Sequence, residues 1–351
     1  MNVSGAFGAC RTPADFYRLQ IALENECAPV EILARVGPKE RLPLPARKWI
    51  ERLEGMMRSA GESLQPFERI SLSENVQLYR MKGKQAAARS LILGFCGNFQ
   101  RLMVPLPIFL QHIPAADFDV VVFRDPTKML FLRGIPIYVP GLGELPARLA
   151  RDLSLESYET LRCLGTSAGG AAALAAGAAL GAERAFAYGG AHPYLSEGTL
   201  PRDDADLNGF DPIFRESACL STRFRAFFGA QNQRDRENAA SLAGAFKGVR
   251  MAEVPGVAGH NMFYELFERG ELAGFLGRTL LGDIGTLEAM QTCGPSPAPV
   301  RRRGKRREFS LARLRHGWER FGGLEQFGFW CARLCEYPRN VFGRRRTGKK
   351  P

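Results

Sequence analysis

The chain has 351 residues, 45% of them hydrophobic and 24% charged, enough to bury one large core without disulfides. Eight cysteines (Cys10, Cys27, Cys96, Cys163, Cys219, Cys293, Cys331 and Cys335) form no C-x-x-C pair and no zinc-spaced cluster, a usage that fits a reducing compartment and a cytoplasmic location. The net charge of +12 belongs to the last 51 residues, with sixteen Lys+Arg and four Glu, so residues 1–300 are balanced and are no basic, polyanion-binding body.

Residues 1–69 read as a helical N-terminal extension. "TPADFYRLQIALENECAPVEILARV" opens on Thr-Pro and repeats apolar residues at helical spacing, and "PLPARKWIERLEGMMRSAG" is a second amphipathic helix closed by Gly61. The N-terminus carries no basic start with an apolar core of signal length, and no run of about 18 apolar residues occurs.

From residue 70 the rhythm changes. The segments "VQLYRM", "SLILGFCG", "FDVVVFRD", "LRCLGTSAGG", "RAFAYGG", "FRAFFGA" and "VRMAEVPG" read as strands. Between several of them lie the helical stretches "LPARLARDLSLESYETL", "AGGAAALAAGAAL" and "DRENAASLAGAF", and "NMFYELFERGELAGFLGRTLL" follows the last. Strand–helix alternation predicts α/β architecture over 70–285: a mostly parallel, doubly wound sheet flanked by helices. The polar, turn-rich residues 191–223 form a short cap excursion at the strand ends, where ligands bind in such sheets. Residues 286–300 read as a linker and 301–351 as a basic aromatic tail.

The candidate chemistry lies at strand ends. Ser167 in "GTSAGG" sits between a strand and a helix, flanked by glycines that tolerate a sharp turn and close packing. It reads as a nucleophile, with a structural turn serine or a phosphate-binding helix start as the alternatives. A serine hydroxyl needs a base. His260, in "GVAGHNMFYEL" after the last strand, is the best placed of four histidines; His192 is its rival, and His112 reads as packing. The acid that orients the imidazole is assigned to Asp235 in "QNQRDRENA", with Asn232 and Glu237 close by and Asp203, Asp204 and Asp206 as fallbacks; Asp235 could instead cap the next helix. Oxyanion donors are assigned to the N–H of Ala168 and of Phe95 or Cys96 in "LILGFCGNFQRL", with Asn98 holding that loop. Arg124 and Asp125 end a strand on the same side, either bracing the oxyanion loop or the substrate pocket, or forming a structural pair.

Taken together, "GFCGN", "GTSAGG", "QNQRD" and "VAGHN" resemble the oxyanion loop, nucleophile elbow, acid loop and histidine loop of the α/β-hydrolase superfamily, over residues 70–282. The resemblance implies an eight-stranded sheet, a Ser167–Asp235–His260 triad and hydrolysis of an ester or thioester, or acyl transfer, with no metal or organic cofactor. Leu93-Gly94 stands where the superfamily has His-Gly, and Asn232 stands at its usual acid position. The competing expectation is a non-catalytic adaptor. The tail pairs basic ends with an apolar stripe through Leu311, Trp318, Phe327 and Trp330, interrupted at Gly322-Gly323. That stripe fits packing on the main domain, an anionic membrane surface that would make the protein peripheral, or, third, nucleic acid.

Overall fold

A computed structural model describes residues 3–83, 90–192 and 221–283. The linker 286–300, the tail 301–351, Asp203, Asp204 and Asp206, and most of the excursion at 191–223 lie outside the described residues.

The N-terminal helices are α1 (Val3–Ala9), α2 (Pro13–Glu26), α3 (Pro29–Val36) and α4 (Leu44–Ala60). Thr12 starts α2: its hydroxyl accepts the Asp15 N–H at 3.2 Å, and the Asp15 carboxylate accepts the Thr12 N–H at 2.9 Å. The one helix expected over 12–36 is two, because Pro29 lacks an N–H and forces Ala28 into an extended conformation.

Eight strands form one sheet in the order β1-β2-β4-β3-β5-β6-β7-β8. They are β1 (Phe67–Ser73), β2 (Val76–Met81), β3 (Ser90–Phe95), β4 (Phe118–Phe123), β5 (Thr160–Thr166), β6 (Arg184–Tyr188), β7 (Arg223–Gly229) and β8 (Val249–Val254). β2 runs antiparallel to both β1 and β4, and every other pairing is parallel. β1 begins inside the stretch read as a helical extension. It is an edge strand in which only Phe67 is buried, so its sequence carries little alternation to read.

Alternate residues of the central strands supply two cores. Leu91, Leu93 and Phe95 of β3 face one side with Val121, Phe123 and Cys163, while Ile92, Val120, Val122 and Leu164 face the other. The first face is covered by α6 (Leu145–Asp152), α7 (Gly170–Leu180) and α8 (Gln233–Ala245). The second is covered by α1–α4, α5 (Leu106–Gln111), α9 (Met262–Glu268) and α10 (Leu272–Leu276). Gly270, at φ +70°, separates α9 from α10 where one helix was expected. The alanine-rich α7 is buried from Gly170 to Ala178 and lies against the sheet at close range: a methyl on Gly177 would stand 2.3 Å from Ala185 Cβ. Because β3 and β5–β8 are parallel, their following loops emerge along one edge of the sheet.

Candidate active site

Ser167 occupies the first position after β5, at φ +52°, a left-handed conformation that L-residues avoid. The tightness of the turn explains its composition. A Cβ on Gly165 would lie 2.0 Å from Gly169 O, one on Gly169 would lie 2.3 Å from Phe95 O, and one on Gly170 would lie 2.5 Å from Gly190 Cα. Only glycines let the elbow, β3 and α7 approach this closely. The Ala191 N–H donates to Ser167 O at 2.8 Å and ties the turn to the segment after β6.

The turn aims the Ser167 hydroxyl at His260. Ser167 Oγ lies 2.8 Å from His260 Nε2, and His260 Nδ1 lies 2.9 Å from both carboxylate oxygens of Asp235. Asp235 is 2% exposed, whereas the His260 side chain is 34% exposed, so the buried acid faces an imidazole that opens to the surface. Asp235 is the third residue of α8 and is not its cap. Asn232 is: its Oδ1 accepts the Asp235 N–H at 3.1 Å, and its Nδ2 donates to Asp235 Oδ2 at 3.0 Å. Glu237 is exposed and accepts from Gln233 Nε2 at 3.0 Å.

The histidine loop has its own clamp. The Glu265 carboxylate, on α9, accepts the N–H of Ala258 at 2.9 Å and of Gly259 at 2.5 Å, immediately before His260. Sequence reading had no signal for Glu265 beyond its place five residues after the histidine. The rival His192 is 1% exposed and lies against Phe246, in the core beneath α8. His112 ends α5 with its ring edge-on to Phe267, and both of its ring nitrogens are shielded with no hydrogen-bond partner among the described residues. Burial pushes its pKa below the usual histidine value.

The oxyanion assignment changes on one side. The Cys96 N–H donates to Phe123 O at 3.0 Å, so it remains in the sheet ladder and is no free donor. Phe95 is the last residue of β3, paired with both Phe123 and Gly165, with its ring fully buried. Next, the Gly97 N–H donates to Arg101 O at 3.0 Å and the Gln100 N–H to Gly97 O at 2.8 Å, closing a tight turn. Within this turn, the Asn98 N–H donates to no main-chain carbonyl among the described residues. The neighbouring Gly97 lies so near the elbow that a Cβ there would stand 3.2 Å from Ser167 Cβ. Ala168 lies in the first turn beyond Ser167, where N–H groups have no partner four residues back.

Asp125 braces this loop from the next strand. Its carboxylate accepts the N–H of Thr127 at 3.0 Å and of Phe131 at 2.9 Å, and its main-chain oxygen accepts from Gln100 Nε2 at 2.9 Å. Arg124 donates to Glu74 O at 2.9 Å. Met129 and Leu130 from the same loop pack on Ala168, next to the serine. Burial pushes the Cys96 thiol up to about 12 and raises that of Cys163 as well, so neither sulfur competes as a nucleophile.

No protein-family model matches the chain. No curated protein matches it by sequence. Solved structures do match in shape. The 2,6-dihydroxy-pseudo-oxynicotine hydrolase is 13% identical with a TM-score of 0.46, over 83% of this chain and 93% of that one. The esterase domain of a Rhodothermus marinus protein is 15% identical with a TM-score of 0.40, over 62% and 99%. Est1E from Butyrivibrio proteoclasticus is 11% identical with a TM-score of 0.37, over 59% and 96%. With β2 antiparallel, the remaining inner strands parallel in the order found, and the strained Ser167 turn between β5 and α7, the chain has the α/β-hydrolase fold.

Proposed function

We propose that the protein is a serine hydrolase that cleaves an ester or thioester through an acyl-enzyme on Ser167. The observation that carries this reading is the continuous chain from Ser167 Oγ to His260 Nε2 at 2.8 Å and from His260 Nδ1 to Asp235 at 2.9 Å. A turn serine kept only for structure needs neither the left-handed backbone nor an imidazole backed by a buried acid.

Asp235 accepts the Nδ1 proton and leaves Nε2 as the base. His260 takes the Ser167 proton as Oγ attacks the carbonyl carbon, and the resulting imidazolium is stabilised by Asp235. The carbonyl oxygen becomes an oxyanion held by the N–H groups of Asn98 and Ala168. We assign this donor to Asn98 rather than to Cys96, whose N–H is used by the sheet, or to Phe95, which is paired on both sides within β3. His260 then protonates the leaving oxygen or sulfur, the acyl group remains on Ser167, and water activated by the same imidazole releases it. An acceptor other than water would make the second half acyl transfer.

A fluorophosphonate probe tests this directly, since its phosphorus is attacked by an activated serine and its oxygen fills the oxyanion site. Stoichiometric labelling of the wild type and none of a folded Ser167→Ala is the expected result. Equal labelling of both would remove Ser167 from the mechanism.

A further inference from the structure

We propose that the N-terminal helices set the geometry of the oxyanion loop, and that Glu24 and Arg101 are the positioning residues that transmit it. The proposal rests on the reading of Ser167 and Asn98 above.

Glu24 is the anomaly that leads here. It lies in the last turn of α2, fully buried, at the end of a helix where the dipole disfavours a carboxylate. A residue selected only to fill this space would be apolar. What holds Glu24 is Arg101, whose Nε and Nη2 meet the two carboxylate oxygens at 2.7 and 2.6 Å. Trp49 Nε1 adds a longer bond at 3.4 Å, and the guanidinium lies over the Tyr17 ring at 5.5 Å. Thus α2 and α4 together build a fitted seat for one arginine. Buried ion pairs contribute little net stability, so this one is better explained by what it orders.

It orders the loop after β3. The Arg101 carbonyl accepts both the Gly97 N–H at 3.0 Å and Thr166 Oγ1 at 3.3 Å. One main-chain oxygen therefore joins the oxyanion turn to the residue before the nucleophile. The loop does not hold this shape unaided: Gln100 and Met103, on either side, sit at φ +58° and +62°. Such backbone persists only when its surroundings over-determine it. With the guanidinium anchored in α2, the Arg101 carbonyl is held in place. Without that anchor, the Gly97 turn and the Asn98 N–H can shift against Ser167. The charge pair touches neither substrate nor triad, and acts only through the Arg101 main chain.

The test follows phosphonylation of the full chain by a fluorophosphonate, resolved into kinact and KI per labelled site. Glu24→Gln keeps the shape and removes the charge; Arg101→Lys keeps the charge and removes the bidentate fit. A small displacement of a donor costs about tenfold or more in rate. Both variants should therefore lose about tenfold in kinact, with KI within about twofold of wild type. The pH midpoint of kinact should stay at the wild-type value, because His260 and Asp235 are untouched. A pair that only clamps the fold would lower the labelled fraction and the Tm while leaving kinact per site intact, and that result overturns the proposal. If Glu24→Gln does not fold, Arg101→Lys decides by the same criterion. Wild type that takes no label, or labels equally as Ser167→Ala, overturns the reading of the site and this proposal with it.

Discussion

Replacing Asp235 by Asn tests how the imidazole is oriented, and the outcome can be worked from the neighbouring cap. Asn232 cannot turn over freely, since its Oδ1 accepts the Asp235 N–H at 3.1 Å and so fixes its Nδ2 toward the Asp235 side chain at 3.0 Å. In Asp235→Asn the new amide must therefore point its oxygen at Asn232 and its NH₂ at His260. An NH₂ facing Nδ1 selects the tautomer with the proton on Nε2, and that nitrogen can no longer take the Ser167 proton. The expected loss in acylation rate is about 10³- to 10⁴-fold, or about 4–5.5 kcal/mol of barrier. The fold should be kept, because the side chains have the same shape. Adding Asn232→Asp reverses the local logic. Aspartate caps α8 as well as asparagine does, accepts from the NH₂ of the introduced amide, and turns the amide oxygen back to Nδ1. The double variant should recover about tenfold over Asp235→Asn alone, one hydrogen bond's worth. The assay is the rate of phosphonylation of Ser167, with p-nitrophenyl butyrate turnover as a second readout. An Asp235→Asn enzyme that keeps more than about a tenth of the wild-type rate would refute the reasoning and send the search for the acid elsewhere.

Two other predictions follow from groups outside the triad. Glu265→Ala leaves the N–H groups of Ala258 and Gly259 without their charged acceptor. Water can reach this loop, so the expected cost is at the low end, a few degrees of Tm and about three- to tenfold in acylation rate, with Glu265→Gln between; an unchanged rate would break the link from Glu265 to His260. Burial lowers the pKa of His112, so the unfolded chain takes up that proton first as pH falls. This histidine's contribution to stability is therefore present above the ordinary histidine value and is lost below it. Thermal unfolding of wild type and His112→Leu between pH 7.5 and 5 should show the wild type losing more Tm on acidification, and parallel curves would refute the assignment.

Much of the fold was legible because each inner strand is a short apolar run closed by glycine or by a polar turn. Strand β1 was not, since an edge strand with only Phe67 buried lacks that signature. The helix breaks at Pro29 and Gly270 were both written in the sequence, yet the apolar spacing runs through them and masks the change of direction. Ser167, Asp235 and His260 could be picked out because each follows a parallel strand, and the structure joins the three by hydrogen bonds across 25 and 93 residues of chain. The proposed oxyanion donor could not be fixed to the residue. Which N–H leaves the ladder depends on how far β3 pairs with β4, and the bond from Cys96 to Phe123 carries that pairing past the last strand residue. Glu24 and Arg101 were invisible for a different reason: 77 residues apart, they pair only through tertiary packing, and nothing local marks a glutamate in an amphipathic helix as buried.

On the proposed mechanism, the left-handed backbone at Ser167 separates what is good for catalysis from what is good for the fold. At φ +52° the position favours a residue without a Cβ, and a chain selected for stability alone would carry glycine there. Holding a serine instead costs about 1–3 kcal/mol, a sizeable part of the margin by which a domain stays folded. On that reading, the most stable relative of this protein is an inactive one. Drift without selection for catalysis should erase the proposed nucleophile before it erodes the sheet, leaving scaffolds with an intact acid and histidine around an empty elbow.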